Sequence, residues 1–162
     1  MKKQKIAFKN LYMTYEEFVK IAEMKTPFET VALTVVALCH YPKDRDLSLK
    51  MLNLLRGPRP LSEMDKQFIR DRFMDKDYVP RSYFEGSIPN NDYTPNVPYV
   101  IEVVDGLYSY QNEGYATLFV QSNGADSLRQ VQVRLAKDGK WYLWEQMLLA
   151  DIRKPESENP WA

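Results

Sequence analysis

The sequence has few of the side chains from which metal sites, disulfides and catalytic triads are built. Its 162 residues contain one cysteine, Cys39, and one histidine, His40. An intramolecular disulfide and a Cys/His zinc site are therefore excluded, and a Ser–His–Asp triad would have to use His40. Neither Gly-x-Gly-x-x-Gly nor Gly-Lys-Ser/Thr occurs, so no loop for nucleotide phosphates is indicated. We accordingly expect no metal and no cofactor.

Long apolar runs are also lacking. The longest spans residues 31–39 and is interrupted by Thr34. As a helix it would reach about 14 Å, roughly half of a bilayer core. The lysines near the N-terminus are not followed by the apolar stretch of a signal peptide, and a single cysteine suits a reducing compartment. These features predict a cytoplasmic protein that does not bind membranes.

No charge of one sign dominates, because 22 Lys and Arg balance 22 Asp and Glu. This balance argues against charge-driven binding of nucleic acid. The distribution is uneven, however: residues 82–128 hold no Lys or Arg, are rich in aromatics, and carry six acidic residues, Glu85, Asp92, Glu102, Asp105, Glu113 and Asp126. Acidic groups beside aromatic faces can hold a cation, an amine or a basic peptide. The alternative is that lysines from elsewhere in the fold approach this stretch and compensate its charge.

Capping signals predict four helices within residues 11–75. Thr14-Tyr-Glu-Glu and Ser62-Glu-Met-Asp are capping boxes, and Thr26 precedes a proline that fits the first helical position. We expect helices over 15–25, over 27–40, from Asp46 to Gly57, and after Ser62. The region therefore reads as the helical part of the chain.

Sequence patterns in the remainder of the chain predict a loop, a sheet and a tail. Four prolines interrupt residues 76–98, which predicts an irregular loop that packs down through its tyrosines or acts as a hinge. Alternating residues separated by Asp-Gly and Asn-Gly turns predict an antiparallel meander over 99–150, with strands at 99–104, 114–121, 128–136 and 140–149. The turn at Asp105-Gly106 can also lead into a short strand at 107–110. A polar tail follows at 151–162. The whole chain, 1–162, reads as a single α+β domain with N-terminal helices packed on a curved sheet of about four strands.

Residues 129–144 have an alternating strand, an Asp-Gly-Lys-Trp turn and a strand beginning Trp-Tyr-Leu. This segment resembles the last hairpin of the cystatin-like cone fold, which includes nuclear transport factor two, SnoaL and ketosteroid isomerase. The whole chain, ending Asp-Ile-Arg-Lys-Pro-Glu and Asn-Pro-Trp-Ala, looks like a small bacterial family of unknown function. The cone resemblance implies a sheet that commonly mediates dimers, so we expect a homodimer through the sheet. Its catalytic carboxylates match no position here, and none is carried over.

Two hypotheses of function follow. The first is a non-catalytic domain that binds a small molecule or a protein, with an aromatic surface formed by Tyr83, Tyr93, Tyr99, Trp141 and Trp144. The second is an enzyme of the ketosteroid isomerase or dehydratase type, with Glu102 as base and Tyr108 or Tyr110 as oxyanion donor.

Two local ambiguities bear on these hypotheses. Glu102 is a desolvated acid if it faces inward, but alternation favours an outward position beside Val100 and Val104. Cys39 and His40 are neighbours on a helix and point in different directions. They therefore read as a core cysteine and a capping histidine rather than a thiol–imidazole dyad.

Overall fold

A computed structural model describes residues 1–161 and has the α+β architecture that the sequence predicts. The chain forms one antiparallel sheet whose inner face is covered by helices. Among these residues, two short 3-10 turns lie between the last helix and the strand that follows it, and a third lies after the last strand. The elements in chain order are β1 (Lys3–Phe8), α1 (Tyr15–Ile21), α2 (Pro27–Cys39), α3 (Arg45–Arg56), α4 (Glu63–Phe73), β2 (Tyr99–Val104), β3 (Tyr115–Val120), β4 (Arg129–Leu135) and β5 (Trp141–Gln146).

The sheet has five strands in the order β1-β2-β3-β4-β5, all antiparallel. The prediction of about four strands that follow the helices is corrected here. β1 precedes the helices and pairs with β2 over six residues, with Ile6 opposite Ile101. Its lysines, Lys3 and Lys5, occupy exposed positions of an edge strand. Residues 107–110 form a turn rather than a strand.

The helix starts follow the predicted caps. Thr14 and Ser62 each form a capping box, and the Thr26 hydroxyl accepts a hydrogen bond from the backbone at the first turn of α2. α3 begins slightly earlier than predicted, because Asp44 is its N-cap. α1 ends at Ile21 rather than at residue 25. Side-chain hydrogen bonds to the free N–H groups of a first turn are local, so the sequence predicts these positions well.

The core lies between α2 and the inner face of the sheet. α2 is buried on nearly all sides, since it contacts all five strands of the sheet as well as α3. Fully buried side chains from the sheet, among them Ile101, Leu118 and Val133, pack against it. Cys39 is buried at the end of this helix, as predicted.

His40 is a buried capping residue at the end of α2. Its Nδ1 lies 2.9 Å from the Val36 carbonyl oxygen, and its Nε2 accepts a hydrogen bond from the Met13 N–H at 3.1 Å. Because Nε2 accepts, Nδ1 carries the proton and the ring is neutral. Burial lowers the pKa of His40.

The loop over residues 76–98 packs into the fold through three buried tyrosines. The hydroxyls of Tyr78, Tyr83 and Tyr93 donate to the carbonyl oxygens of Ile152, Leu148 and Arg153, respectively. The loop is thereby attached to the segment that follows β5. Ile152, near the start of the polar tail, is buried in the core.

Candidate functional site

Glu102 lies on the open face of the sheet, which we define as the face opposite the helices. Its neighbours Ile101 and Val103 are fully buried on the inner face, whereas Glu102 is half-buried. Lys5 of β1 is its cross-strand partner. The outward orientation that alternation favoured is therefore the one in the structure.

A groove of about 470 Å³ crosses this open face beside Glu102, Glu85 and Lys3. The side chain of Tyr83 is buried and forms part of the groove wall. Lys5 forms an ion pair with Glu85 at 2.9 Å, and the hydrogen bond from Lys5 to Glu85 raises the pKa of the lysine. Lys5 of β1 thus compensates one carboxylate of the acidic stretch, in line with the alternative that the sequence left open.

The two tyrosines proposed as oxyanion donors lie in the loop between β2 and β3. Tyr108 is 70% exposed and Tyr110 is 49% exposed. Burial of its hydroxyl and a hydrogen bond to Asp105 raise the pKa of Tyr110 to about 12. No hydrogen bond joins either tyrosine to Glu102 within residues 1–161. The structure does not assemble these three residues into one enclosed site.

Three predicted binding residues, Tyr83, Tyr93 and Tyr99, pack into the interior. Burial raises the pKa of Tyr83, and it raises that of Tyr93 to about 12. Tyr99 lies on the inner side, edge-on to Phe84 with 6.2 Å between ring centroids. Their rings therefore stabilise the loop and present no shared aromatic surface to solvent.

The two predicted tryptophans of β5 lie in different environments. Trp141 packs against the core. Trp144 lies on the open face, where the guanidinium of Arg59 is 3.7 Å from its ring centroid and that of Arg134 is 4.9 Å away. Tyr115 contacts Trp144 edge-on at 5.7 Å. Arginines of the same chain thus cover much of the exposed ring.

β1 forms one edge of the sheet, and half of its backbone groups face away from β2. The Asp105 N–H donates to the Lys2 carbonyl oxygen at 3.0 Å, so the even-numbered residues of β1 make the ladder bonds. The N–H and C=O groups of Lys3, Lys5 and Ala7 therefore point outward. No group within residues 1–161 forms a hydrogen bond with them.

An apolar groove runs along the inner side of this free edge, between β1 and the first two helices. It measures about 370 Å³, and its apolar lining includes Ile6, Phe8, Met13, Ile21 and Leu33. Two acidic side chains, Glu17 and Glu29, also line it, and each already accepts a hydrogen bond from a backbone N–H. We refer to the outward backbone groups and this groove together as the β1 edge.

The opposite edge of the sheet, β5, is covered by the chain itself. The Trp141 N–H donates to the Met24 carbonyl oxygen at 2.9 Å, and the Thr30 hydroxyl donates to the Trp141 carbonyl oxygen at 2.7 Å. Arg59 donates to the carbonyl oxygen of Trp144. Exposed strand edges invite pairing with other chains, and folds commonly cover them. The β1 edge lacks such a cover in the part of the chain that the structure describes.

Two further classes of site find no match in residues 1–161. Among these residues, no three or more His, Cys, Asp or Glu side chains are placed to hold a metal ion. None of the described helices has both the length and the apolar character needed to cross a membrane.

Residues 10–156 match the model of a family described as a domain of unknown function, DUF6935. The chain belongs to the DUF6935 family. Comparisons with curated proteins and with solved structures found no match. The resemblance of the DUF6935 domain to the cystatin-like cone is therefore not confirmed, and membership of the family assigns it no activity.

Sequence reasoning missed the β1 edge, although a signal for it was present. Lys3, Lys5 and Ala7 alternate with Gln4 and Ile6, which is the period of a strand with one wet face. The match to DUF6935 begins at residue 10, so β1 lies just before the matched segment.

Proposed function

We propose that this protein is a non-catalytic binding domain that takes up an extended segment of a partner protein as a sixth strand at the β1 edge. The observation that carries the proposal is the row of outward backbone groups at Lys3, Lys5 and Ala7, which have no hydrogen-bond partner within residues 1–161. An added strand would pair with these groups through its main chain, as in peptide recognition by strand addition.

The groove beside β1 supplies the second requirement of such recognition. Side chains of an added strand alternate between two faces, so every second one would point into the apolar groove beside Ile6 and Leu33. Backbone pairing provides affinity for any extended chain, whereas the groove selects among side chains. The β1 edge therefore offers backbone pairing for any extended chain and an apolar groove that selects among side chains.

The position of Glu102 favours binding over proton transfer. A carboxylate base of the isomerase type works in an enclosed apolar site, whereas Glu102 lies on the open face opposite Lys5. The grooves beside β1 and beside Glu102 are both open to solvent. An open groove beside a free strand suits a chain that lies across it.

The proposal is tested with a substitution that removes one outward N–H and no internal hydrogen bond. Proline is tolerated on edge strands where its missing N–H faces solvent, so Ala7→Pro should leave the ladder with β2 intact. Ala7→Val keeps the N–H and is the matched control. Ten-residue random peptides displayed on phage are selected against the protein, and the selected peptides are then measured against both variants.

We expect peptides that lose binding to Ala7→Pro and keep it with Ala7→Val. In bound complexes, the amides of Lys3, Lys5 and Ala7 should gain protection from hydrogen exchange. Unfolding curves of Ala7→Pro verify that the fold is retained. If that variant unfolds, Ile6→Lys, which places a charge in the groove, replaces it. Selected peptides that bind both proline and valine variants equally, or a selection that yields no binder, would refute the proposal.

A further inference from the structure

Resting on the proposed function, we infer that the segment added at the β1 edge comes from another protein and alternates acidic and apolar side chains. Its acidic side chains would lie on the open face of the sheet, beside the lysines of β1. Its apolar side chains would point into the groove on the helix side. The inference names the chemistry of the partner, which strand addition alone leaves unspecified.

The lysines of β1 stand where an added strand would place every second side chain. Lys3 and Lys5 lie on the open face, and their main-chain groups point to the free edge. The residues of an added strand that exchange hydrogen bonds with them would set their side chains directly opposite, about 5 Å apart at Cβ. Oppositely charged pairs at that separation favour pairing, so acidic residues fit these two positions.

Lys3 is the better of the two positions. Its ammonium group makes no ion pair within residues 1–161, whereas Lys5 already pairs with Glu85 at 2.9 Å. Lys3 therefore has a free charge for a carboxylate of the partner, and Lys5 would share its charge between two carboxylates. A stronger requirement for an acidic residue is expected opposite Lys3.

The positions that alternate with Lys3 and Lys5 along β1 face the groove, and an added strand needs apolar side chains there. Gln4 and Ile6 point to the inner side, where the groove is lined by Met13, Ile21 and Leu33. Side chains opposite Gln4 and Ile6 would cover this surface and remove it from water. β1 is six residues long, so an added strand can pair with it over about six residues.

A second copy of this chain is a poor occupant of the same edge. Two β1 strands paired antiparallel about Lys5 would set Lys5 opposite its own copy. Pairing about Gln4 would set Lys3 opposite Lys5 twice, and pairing about Ile6 would set Lys3 opposite Lys9. Like charges directly opposite each other destabilise a strand pair, so each symmetric register disfavours self-association.

The test uses three synthetic ten-residue peptides with valine at every second position and Glu, Gln or Lys at the positions between. We expect the Glu peptide to bind roughly tenfold more tightly than the Gln peptide at low salt, and the Lys peptide to bind least. The preference should shrink at about 0.5 M salt, because salt screens exposed charges. Lys3→Glu should reverse the order of the Glu and Lys peptides.

Lys137→Glu is the matched control, since Lys137 lies in the turn between β4 and β5, three strands away from β1. It makes the same change of charge and should leave the order of the peptides unchanged. Lys3→Gln separates the loss of the lysine from the gain of a carboxylate. It should bring the Glu and Gln peptides closer in affinity.

The outcomes distinguish this inference from the proposed function. Three peptides that bind with equal affinity, and fail with Ala7→Pro, would overturn the acidic preference and leave strand addition standing. If none of the peptides binds and the random-peptide selection also yields nothing, both would be overturned. Concentration-dependent dimerisation that Ala7→Pro abolishes would identify a second copy as the occupant and overturn the inference.

Discussion

Removing the side chain of Tyr93 tests whether the loop over residues 76–98 is part of the cooperative core. Tyr93 is fully buried and stacks on Tyr78 with 5.3 Å between ring centroids. Its hydroxyl donates to the Arg153 carbonyl oxygen at 2.5 Å. One side chain thus joins the loop to the segment after β5, and its removal should lower the free energy of unfolding of the whole domain.

The two parts of this interaction have separable magnitudes. Tyr93→Phe keeps the ring but leaves the Arg153 carbonyl without its donor, which should cost about 1–3 kcal/mol of the free energy of unfolding. Tyr93→Ala also leaves a large cavity and should cost about 3–5 kcal/mol. In a protein of this size, 1 kcal/mol shifts Tm by roughly 2–4 °C. We therefore expect Tm to fall by roughly 10 °C in Tyr93→Ala.

Urea and thermal unfolding followed by circular dichroism measure both variants. Tyr108→Phe and Tyr108→Ala are the controls, because Tyr108 is 70% exposed. Surface substitutions of this kind change stability by about 0.5 kcal/mol or less. A Tyr93→Ala variant no less stable than Tyr108→Ala would refute the reasoning. It would mean that the loop separates from the core at little cost.

Two further changes test the neutral histidine and a close approach of the backbone. Burial lowers the pKa of His40 below its unfolded value of about 6.5, so the unfolded state binds a proton more tightly than the folded state. The contribution of the neutral histidine to the free energy of unfolding is therefore complete above pH 6.5 and is lost as pH falls. Free energies of unfolding at pH 7.5 and 5.5 should differ more in the parent than in His40→Gln, and equal differences would contradict this assignment. In Gly57→Ala, at φ +61°, the new Cβ would lie 2.4 Å from the Tyr142 ring, and we expect a loss of about 2–4 kcal/mol in urea unfolding. Gly139→Ala, at φ +84° with nothing within 4 Å of the new Cβ, measures the backbone strain alone and should lower the free energy of unfolding by about 1–2 kcal/mol. Similar losses in the two variants would contradict the expected clash, because they would show that the Tyr142 ring moves aside easily.

The sequence predicted those features whose determinants lie within a few residues of each other. The caps at Thr14, Thr26 and Ser62 are hydrogen bonds across a single helical turn. The alternation of β4 similarly shows in a run of seven residues. Local patterns of this kind require no knowledge of the rest of the fold.

Prediction failed where the partner of a segment is distant in the chain. β1 pairs with β2 almost a hundred residues later, as Ile6 opposite Ile101 shows. Nothing near Ile6 in the sequence indicates this pairing. The β1 edge was not predicted for the same reason. That one edge of β1 is free can be recognised only when the pairing of its other edge with β2 is known.

The sequence by itself determined the α+β class, the helix starts and the alternation of the late strands, because each depends on short-range hydrogen bonds or on side-chain periodicity. Only the tertiary structure decided that Glu102 lies opposite Lys5, and that Tyr83 and Tyr93 are interior rather than exposed. Alternation defines two faces of a strand but does not say which of them the helices will cover. Burial follows from the packing of elements that are far apart in the chain, and among residues 1–161 that packing also left the β1 edge open.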